Sequence, residues 1–169
     1  MRVAGTHVLL TGATGDIGRR LATHLSDAGA RLTLVARSTQ PLEALAADLG
    51  AHAVPADLTD RDTLRSLIRD VEQAHGPVDV LVNNAGTETV GHLTHLSADD
   101  LEHLLALNLL APVELCRQVL PGMTARGRGH LVNISSLAGV ATFPGLATYG
   151  ATKAGLTHFT SGLRADLRG

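Results

Sequence analysis

The sequence predicts a three-layer α/β/α fold: a doubly wound parallel sheet with helices on both faces. Three observations carry that expectation. Short apolar runs alternate with longer helical patterns five times along 169 residues. The apolar runs are continuous rather than alternating, as strands covered on both faces are. Gly29, Gly50 and Gly76 each follow a helical run, where a C-terminal cap stops a helix.

The first strand is expected at His7–Thr11, followed by a glycine-rich turn and a helix over Ile17–Ala28. The second, Arg31–Ala36, leads to a helix over Pro41–Leu49; a proline fits a first helical turn, where its missing N–H is not needed. The third strand, Ala51–Ala56, precedes a helix over Arg61–His75. The fourth, Val78–Asn83, is followed by a polar loop and a long helical pattern, Ala98–Arg126, that Pro121 punctuates. A fifth strand, His130–Ser135, and a helix over Thr148–Leu167 complete the alternation. No repeat, low-complexity tract or linker interrupts it, so residues 1–169 are expected to form a single domain.

Composition narrows the functional classes. Apolar residues make up 44 % of the chain, but aromatics only 2 %: no Trp, one Tyr (Tyr149) and two Phe. The core is therefore aliphatic. A formal net charge of −2 provides no basic field for a phosphate backbone, and there are too few rings to stack bases. Nucleic acid is not an expected partner. The lone Cys116 cannot form an internal disulfide, which fits a reducing compartment. No signal peptide is visible, and no apolar stretch approaches the length of a membrane span. A cytoplasmic protein with no membrane partner is expected.

The first strand ends in Thr11-Gly12-Ala13-Thr14-Gly15-Asp16-Ile17-Gly18. Such a turn lets backbone approach a pyrophosphate, and the helix that it opens offers free N–H groups and a positive dipole end. A tight strand-to-helix turn with no ligand is the plainer alternative. Asp16 suits a helix N-terminus, yet it stands close to where an anionic cofactor lies. At the end of the second strand, a reader of the NAD ribose 2′-hydroxyl carries Asp or Glu. Here Ala36 removes that charge and Arg37 supplies a planar fork suited to a 2′-phosphate, favouring NADP over NAD. Arg37 could equally be an ordinary solvated side chain.

Asn83-Asn84-Ala85-Gly86 closes the fourth strand and Asn133-Ile134-Ser135-Ser136 the fifth, at the sheet end where ligands bind in such folds. Tyr149 and Lys153 stand four apart on a helical pattern and so share a face. A phenol ionises near pH 10 in water, so base chemistry at neutral pH needs about 4 kcal/mol of help. An ammonium about 4 Å away, at an effective dielectric of about 20, supplies about 4 kcal/mol. The two magnitudes match, which makes Tyr149 with Lys153 a candidate acid–base unit. Ser136 is a candidate hydrogen-bond donor to a developing oxyanion. Taken alone, a Tyr and a Lys one turn apart are more often surface residues.

Asp57, Asn83-Asn84-Ala85-Gly86, Asn108, Ser136 and Tyr149-x-x-x-Lys153 together resemble the ordered signature of the short-chain dehydrogenase/reductase family, with Ser136 thirteen residues before Tyr149. The likeness runs from Val3 to the end of the chain. It implies a Rossmann fold and an oxidoreductase that interconverts a ketone and a secondary alcohol by hydride transfer with NADP. It implies roles as well. Tyr149 would be the acid–base; Lys153 would favour its ionised form and hold the nicotinamide ribose; Ser136 would orient the substrate oxygen; Asn108 would anchor a water in a proton relay. Gly12, Thr14, Gly15, Asp16, Ile17 and Gly18 would surround the cofactor phosphates, and Arg37 the 2′-phosphate. Asp57 and Leu58 would contact adenine, while Asn84, Ala85 and Gly86 would line the cofactor and support the sheet.

Two departures qualify the resemblance. The glycine spacing is similar to the family's extended branch, because Asp16 stands where the classical branch has glycine. Moreover, the chain ends at Gly169, where family members continue through two more strands, a Pro-Gly segment that holds the nicotinamide and a substrate loop. The 169-residue chain is thus expected to bind NADPH, to associate through the edge His130–Ser135 or as a homodimer or homotetramer through its long helices, and to turn over slowly. The alternatives are a nucleotide-binding scaffold with little turnover and, from the glycine spacing alone, an extended-type nucleotide-sugar epimerase or dehydratase. His92, His95 and His103 match no metal-ligand spacing, so no metal is expected, and Cys116 reads as a core residue.

Overall fold

A computed structural model describes residues 3–168; Met1, Arg2 and Gly169, the ends of the expected domain, lie outside the described residues. The elements run β1 His7–Thr11, α1 Asp16–Asp27, β2 Arg31–Ala36, α2 Thr39–Leu49, β3 His52–Pro55, α3 Arg61–His75, β4 Val80–Asn83, α4 Ala98–Leu105, α5 Ala111–Ala125, β5 His130–Asn133 and α6 Ala147–Asp166. The sheet is parallel, with strand order β3-β2-β1-β4-β5. Chain order reverses direction between β1 and β4, the switch point of a doubly wound fold. Leu9 pairs with Thr33 on one side of β1 and with Leu81 on the other. Leu9, Leu10, Leu34, Val35 and Leu81 are wholly buried, which explains the continuous apolar runs.

Four expected strand ends are trimmed; Ala56 lies beyond β3 although its N–H donates to Ala36 O at 3.0 Å, and at the other three a backbone group is engaged elsewhere. Ala51 leaves β3 because its N–H donates to Ala46 O and closes the end of α2. Val78 leaves β4 because its N–H donates to Glu72 Oε1. Beyond Asn133 the Ile134 carbonyl accepts from Lys153 Nζ, so β5 stops short of Ser135. Conversely, α2 begins at Thr39 with Pro41 inside its first turn, two residues earlier than expected.

The chain forms two compact units. One comprises the residues up to Ala85 with Glu114–Val132, the other Gly86–Val113 with the residues from Asn133 on. In the first, Asp60 caps α3 by accepting from Thr63 N at 2.8 Å. In the second, Ser97 and Asp100 form a reciprocal capping box at the start of α4. Also in the second, α6 packs on α4 and on a 3₁₀ turn at Leu137–Gly139.

From α4 to α5 the helix is continuous over Ala98–Ala125, through a π-helical turn at Ala106–Leu110. Its 28 residues reach a mean hydropathy of 1.3 in the best window, so by length and composition alone it could cross a bilayer. That corrects the expectation that no apolar stretch approaches such a length. Interspersed residues such as Glu102, Asn108 and Glu114 make it read as amphipathic, and Leu104, Leu107, Ala111, Leu115, Cys116, Val119 and Met123 are buried along it.

Candidate active site

In the first unit, the turn between β1 and α1 is built by steric exclusion. Gly12 has φ 66°, and a Cβ there would lie 2.7 Å from Ala85 Cα. A Cβ on Gly18 would overlap the Gly12 carbonyl oxygen and reach 2.9 Å from Ala13 Cα. Both glycines are therefore required by the protein's own packing. Gly15 is not: its Cβ would meet only Gly12 O, at an ordinary 3.5 Å. Gly15 is exposed and caps α1 without a side chain, so the first N–H groups of that helix have no side-chain acceptor there. A smooth cradle at an uncapped helix start is what a phosphate group fits.

The turn is held from β4. Asn84 Nδ2 donates to Thr11 O at 3.0 Å and to Gly12 O at 3.2 Å, while Thr11 Oγ1 accepts from Asn84 N and Ala85 N. The Asn84 amide is thus committed to the turn itself. Arg19, a residue that motif reading passed over, donates from Nε to Thr14 O at 3.0 Å and clasps the turn from α1. Asp16 and Ile17 are exposed at the start of α1, and Arg37 is exposed just past β2. The Asp57 carboxylate accepts from Thr59 N and Oγ1. Leu58 is buried, so any contact it makes with adenine falls to its main chain.

In the second unit the candidate catalytic residues gather around α6. Lys153, the one lysine in the chain, is 5 % exposed and donates from Nζ to Ile134 O at 3.0 Å. Burial pushes its pKa down from the ordinary lysine value. The ammonium lies 5.8 Å from the centroid of the Tyr149 ring, within cation–π range. The bond to Ile134 thus holds Nζ near the Tyr149 side chain. A Cβ on Gly86 would stand 3.2 Å from Asn108 Oδ1 and 3.4 Å from Lys153 Nζ, so these three residues adjoin.

Asn108 sits in the π turn, fully buried, with its amide satisfied from all sides. Nδ2 donates to Thr87 O at 2.8 Å and to Thr152 Oγ1 at 3.2 Å, and Oδ1 accepts from Thr87 N at 2.9 Å. Ser136 caps the 3₁₀ turn by accepting from Ala138 N at 3.2 Å, which leaves its hydroxyl proton to donate. That turn is pinned to α6: a Cβ on Gly139 would lie 2.8 Å from the Lys153 carbonyl carbon, and one on Gly150 2.8 Å from Ala138 O. Thr157, passed over by motif reading, donates from Oγ1 to Lys153 O at 2.9 Å and accepts from Ser135 Oγ at 2.7 Å. Of the histidine trio, His92 bonds Thr94 and caps a 3₁₀ turn.

A glycine cradle at the carboxyl end of a switch-point strand defines the class of doubly wound, Rossmann-type folds. The comparisons with known proteins sharpen that. The family model described as short chain dehydrogenase matches residues 6–169, and the chain belongs to that family. The ketoacyl reductase HetN of Nostoc sp. is 38 % identical over 172 residues, covering 99 % of this chain and 60 % of that protein. A short-chain dehydrogenase from Streptomyces avermitilis superposes with a TM-score of 0.93 at 37 % identity, covering 98 % of this chain and 62 % of that one. A metagenomic short-chain oxidoreductase in complex with NADP also gives 0.93, at 36 % identity, covering 99 % of this chain and 78 % of that one. The chain thus spans about three fifths of the length of its first curated relative.

Proposed function

We propose that this chain carries the cofactor-binding and catalytic part of an NADP-dependent oxidoreductase that interconverts a ketone and a secondary alcohol. The observation that carries the reading is Lys153: a buried ammonium, beside Asn108 and against the Tyr149 ring. A buried charge is costly and is kept where it performs a task.

The residues present fit the cofactor. The cradle at Gly15 and the start of α1 would take the diphosphate, and Arg37 the 2′-phosphate. Ala36 puts no carboxylate beside it, and the NADP bound to the metagenomic relative supports the same choice. When bound, NADPH supplies the hydride. In reduction the Tyr149 hydroxyl gives its proton to the substrate oxygen, and the Ser136 hydroxyl donates a hydrogen bond to that oxygen as charge builds on it. Lys153 favours the resulting phenolate electrostatically, and Asn108 holds Thr87 and Thr152 in place around it.

The flanking segments favour a substrate with uncharged, apolar substituents. Val90, Leu93, Leu137, Val140 and Phe143 are exposed, and residues 86–97 and 134–152 contain no Lys or Arg. They offer an acidic substrate no guanidinium or ammonium of their own. Leu105 and Leu110, exposed on the long helix, support a homodimer.

The test is calorimetric titration with NADPH and NADH, followed by NADPH oxidation with a bulky apolar ketone and with a 3-keto acid. Tighter NADPH binding and a preference for the apolar ketone support the proposal. Binding without turnover on either substrate would instead favour a nucleotide-binding scaffold.

A further inference from the structure

The end of the sheet where β1, β2 and β3 begin carries an unusual cluster. His7, the first residue of β1, is 1 % exposed in a strand whose next three residues are aliphatic. A buried imidazole needs partners for both nitrogens. Nδ1 lies 3.0 Å from Gly76 O and 3.1 Å from Pro77 O. Both are acceptors, so Nδ1 carries a proton, and burial favours the neutral ring with Nε2 unprotonated. Nε2 then accepts from Thr33 Oγ1 at 2.9 Å, in the wholly buried centre of β2. The main chain adds two more ties, from His7 N to Asp79 Oδ2 and from Asp79 N to His7 O. Through one side chain and one peptide, His7 fastens the Gly76–Asp79 connection between α3 and β4 to β1 and β2.

Beside it, His52 at the start of β3 and His75 at the end of α3 stack face to face, with ring centroids 3.8 Å apart and planes inclined by 12°. Two neutral imidazoles pack well in this way; two imidazolium ions repel. The charges facing the cluster do not offset them. Arg31 of β2 adds positive charge beside His7. Asp79 is the carboxylate facing His7, and it already serves Arg128, whose Nε lies 3.7 Å from it. Glu72 of α3 is occupied by Val78 N.

We propose that His7 and His75, the latter stacked on His52, form an acid-sensitive latch that holds the α3–β4 connection when neutral and releases it when protonated. A second proton on His7 would place an N–H against Thr33 and require that hydroxyl to turn from donor to acceptor inside the core. Burial holds His7 and His75 below the ordinary histidine value, and His52 adds to the effect on His75.

The sign follows from linkage. The unfolded chain takes up protons at about pH 6.5, while the folded latch resists them, so its stabilising effect is complete above about pH 6.5 and declines as pH falls toward the lower folded values. For each proton bound only in the open form, the opening equilibrium grows about tenfold per pH unit within that window.

The experiment is urea unfolding of the full chain between pH 5 and 8, with amide exchange of Val80–Asn83 corrected for intrinsic rates. Wild type is compared with His52→Gln/His75→Gln, in which all other histidines remain. Wild type should lose protection steeply below about pH 6.5, and the double variant should lose it by about tenfold less per pH unit. Superimposable pH profiles for the two proteins, or a flat wild-type profile, would overturn the latch. Since His7→Gln could prevent folding, His7 is read by NMR titration of its ring carbons in wild type. A ring that remains neutral while the stack is being charged supports the proposal, and one that titrates as a free histidine does not.

Discussion

Lys153 Nζ donates to the main-chain carbonyl of Ile134 at 3.0 Å, joining α6 to the segment that leaves β5. This one bond both ends the strand and aims the ammonium. It holds Nζ next to Asn108 and Gly86 and against the Tyr149 ring.

Lys153→Met keeps the stem and removes the charge. Activity should fall by at least about a hundredfold, as when an acid–base unit is lost. Stability at neutral pH should hold or rise, because a charge that burial disfavours is gone. The pH dependence has a definite sign. With the folded pKa lowered, the unfolded chain binds more protons in the alkaline range, so this group makes wild-type stability rise with pH there. Urea midpoints between pH 8 and 10.5 should show that component in wild type and not in the variant.

Arg37→Ala should remove most of the preference for NADPH over NADH, at least about tenfold in affinity, and leave NADH binding nearly unchanged. Calorimetric titration of both cofactors checks this. A preference that persists in the variant would move 2′-phosphate recognition to another residue.

Gly18→Ala and Gly15→Ala should separate folding from binding. The first drives a methyl into the Gly12 carbonyl and should destabilise by about 1–3 kcal/mol. The second adds a methyl with ordinary contacts, so its melting temperature should stay near wild type while NADPH binding weakens. Melting curves paired with titrations distinguish the two effects.

Asn108→Leu should cost about 1–3 kcal/mol, since Thr87 would be left with an unpaired N–H and carbonyl. Thermal unfolding of the variant gives the value directly.

The strands were legible because burial on both faces writes continuous apolar runs, and β1 and β2 fall where His7–Thr11 and Arg31–Ala36 predict them. Strand ends were not, because Ala51, Val78 and Ile134 are claimed by partners distant in the chain or by helix caps. Within the site, residue identities at fixed spacing pointed to Ser136, Tyr149 and Lys153. The π turn at Asn108 leaves no such mark, since one extra residue in a helix does not disturb a coarse periodicity. Asn84 was expected to support the sheet, and its Nδ2 does so by donating to Thr11 O and Gly12 O. The His7, His52 and His75 cluster is invisible in sequence because it joins residues from β1, β3 and α3.

The central claim, hydride transfer from NADPH with Tyr149 as proton donor, is tested most directly by isotope transfer. The protein is incubated with NADPH deuterated at C4 and a bulky apolar ketone, and the alcohol is analysed by mass spectrometry. Wild type should place deuterium on the carbinol carbon, and Tyr149→Phe should do so at least about a hundredfold more slowly while binding NADPH as tightly. Equal deuterium transfer by wild type and variant would contradict the account.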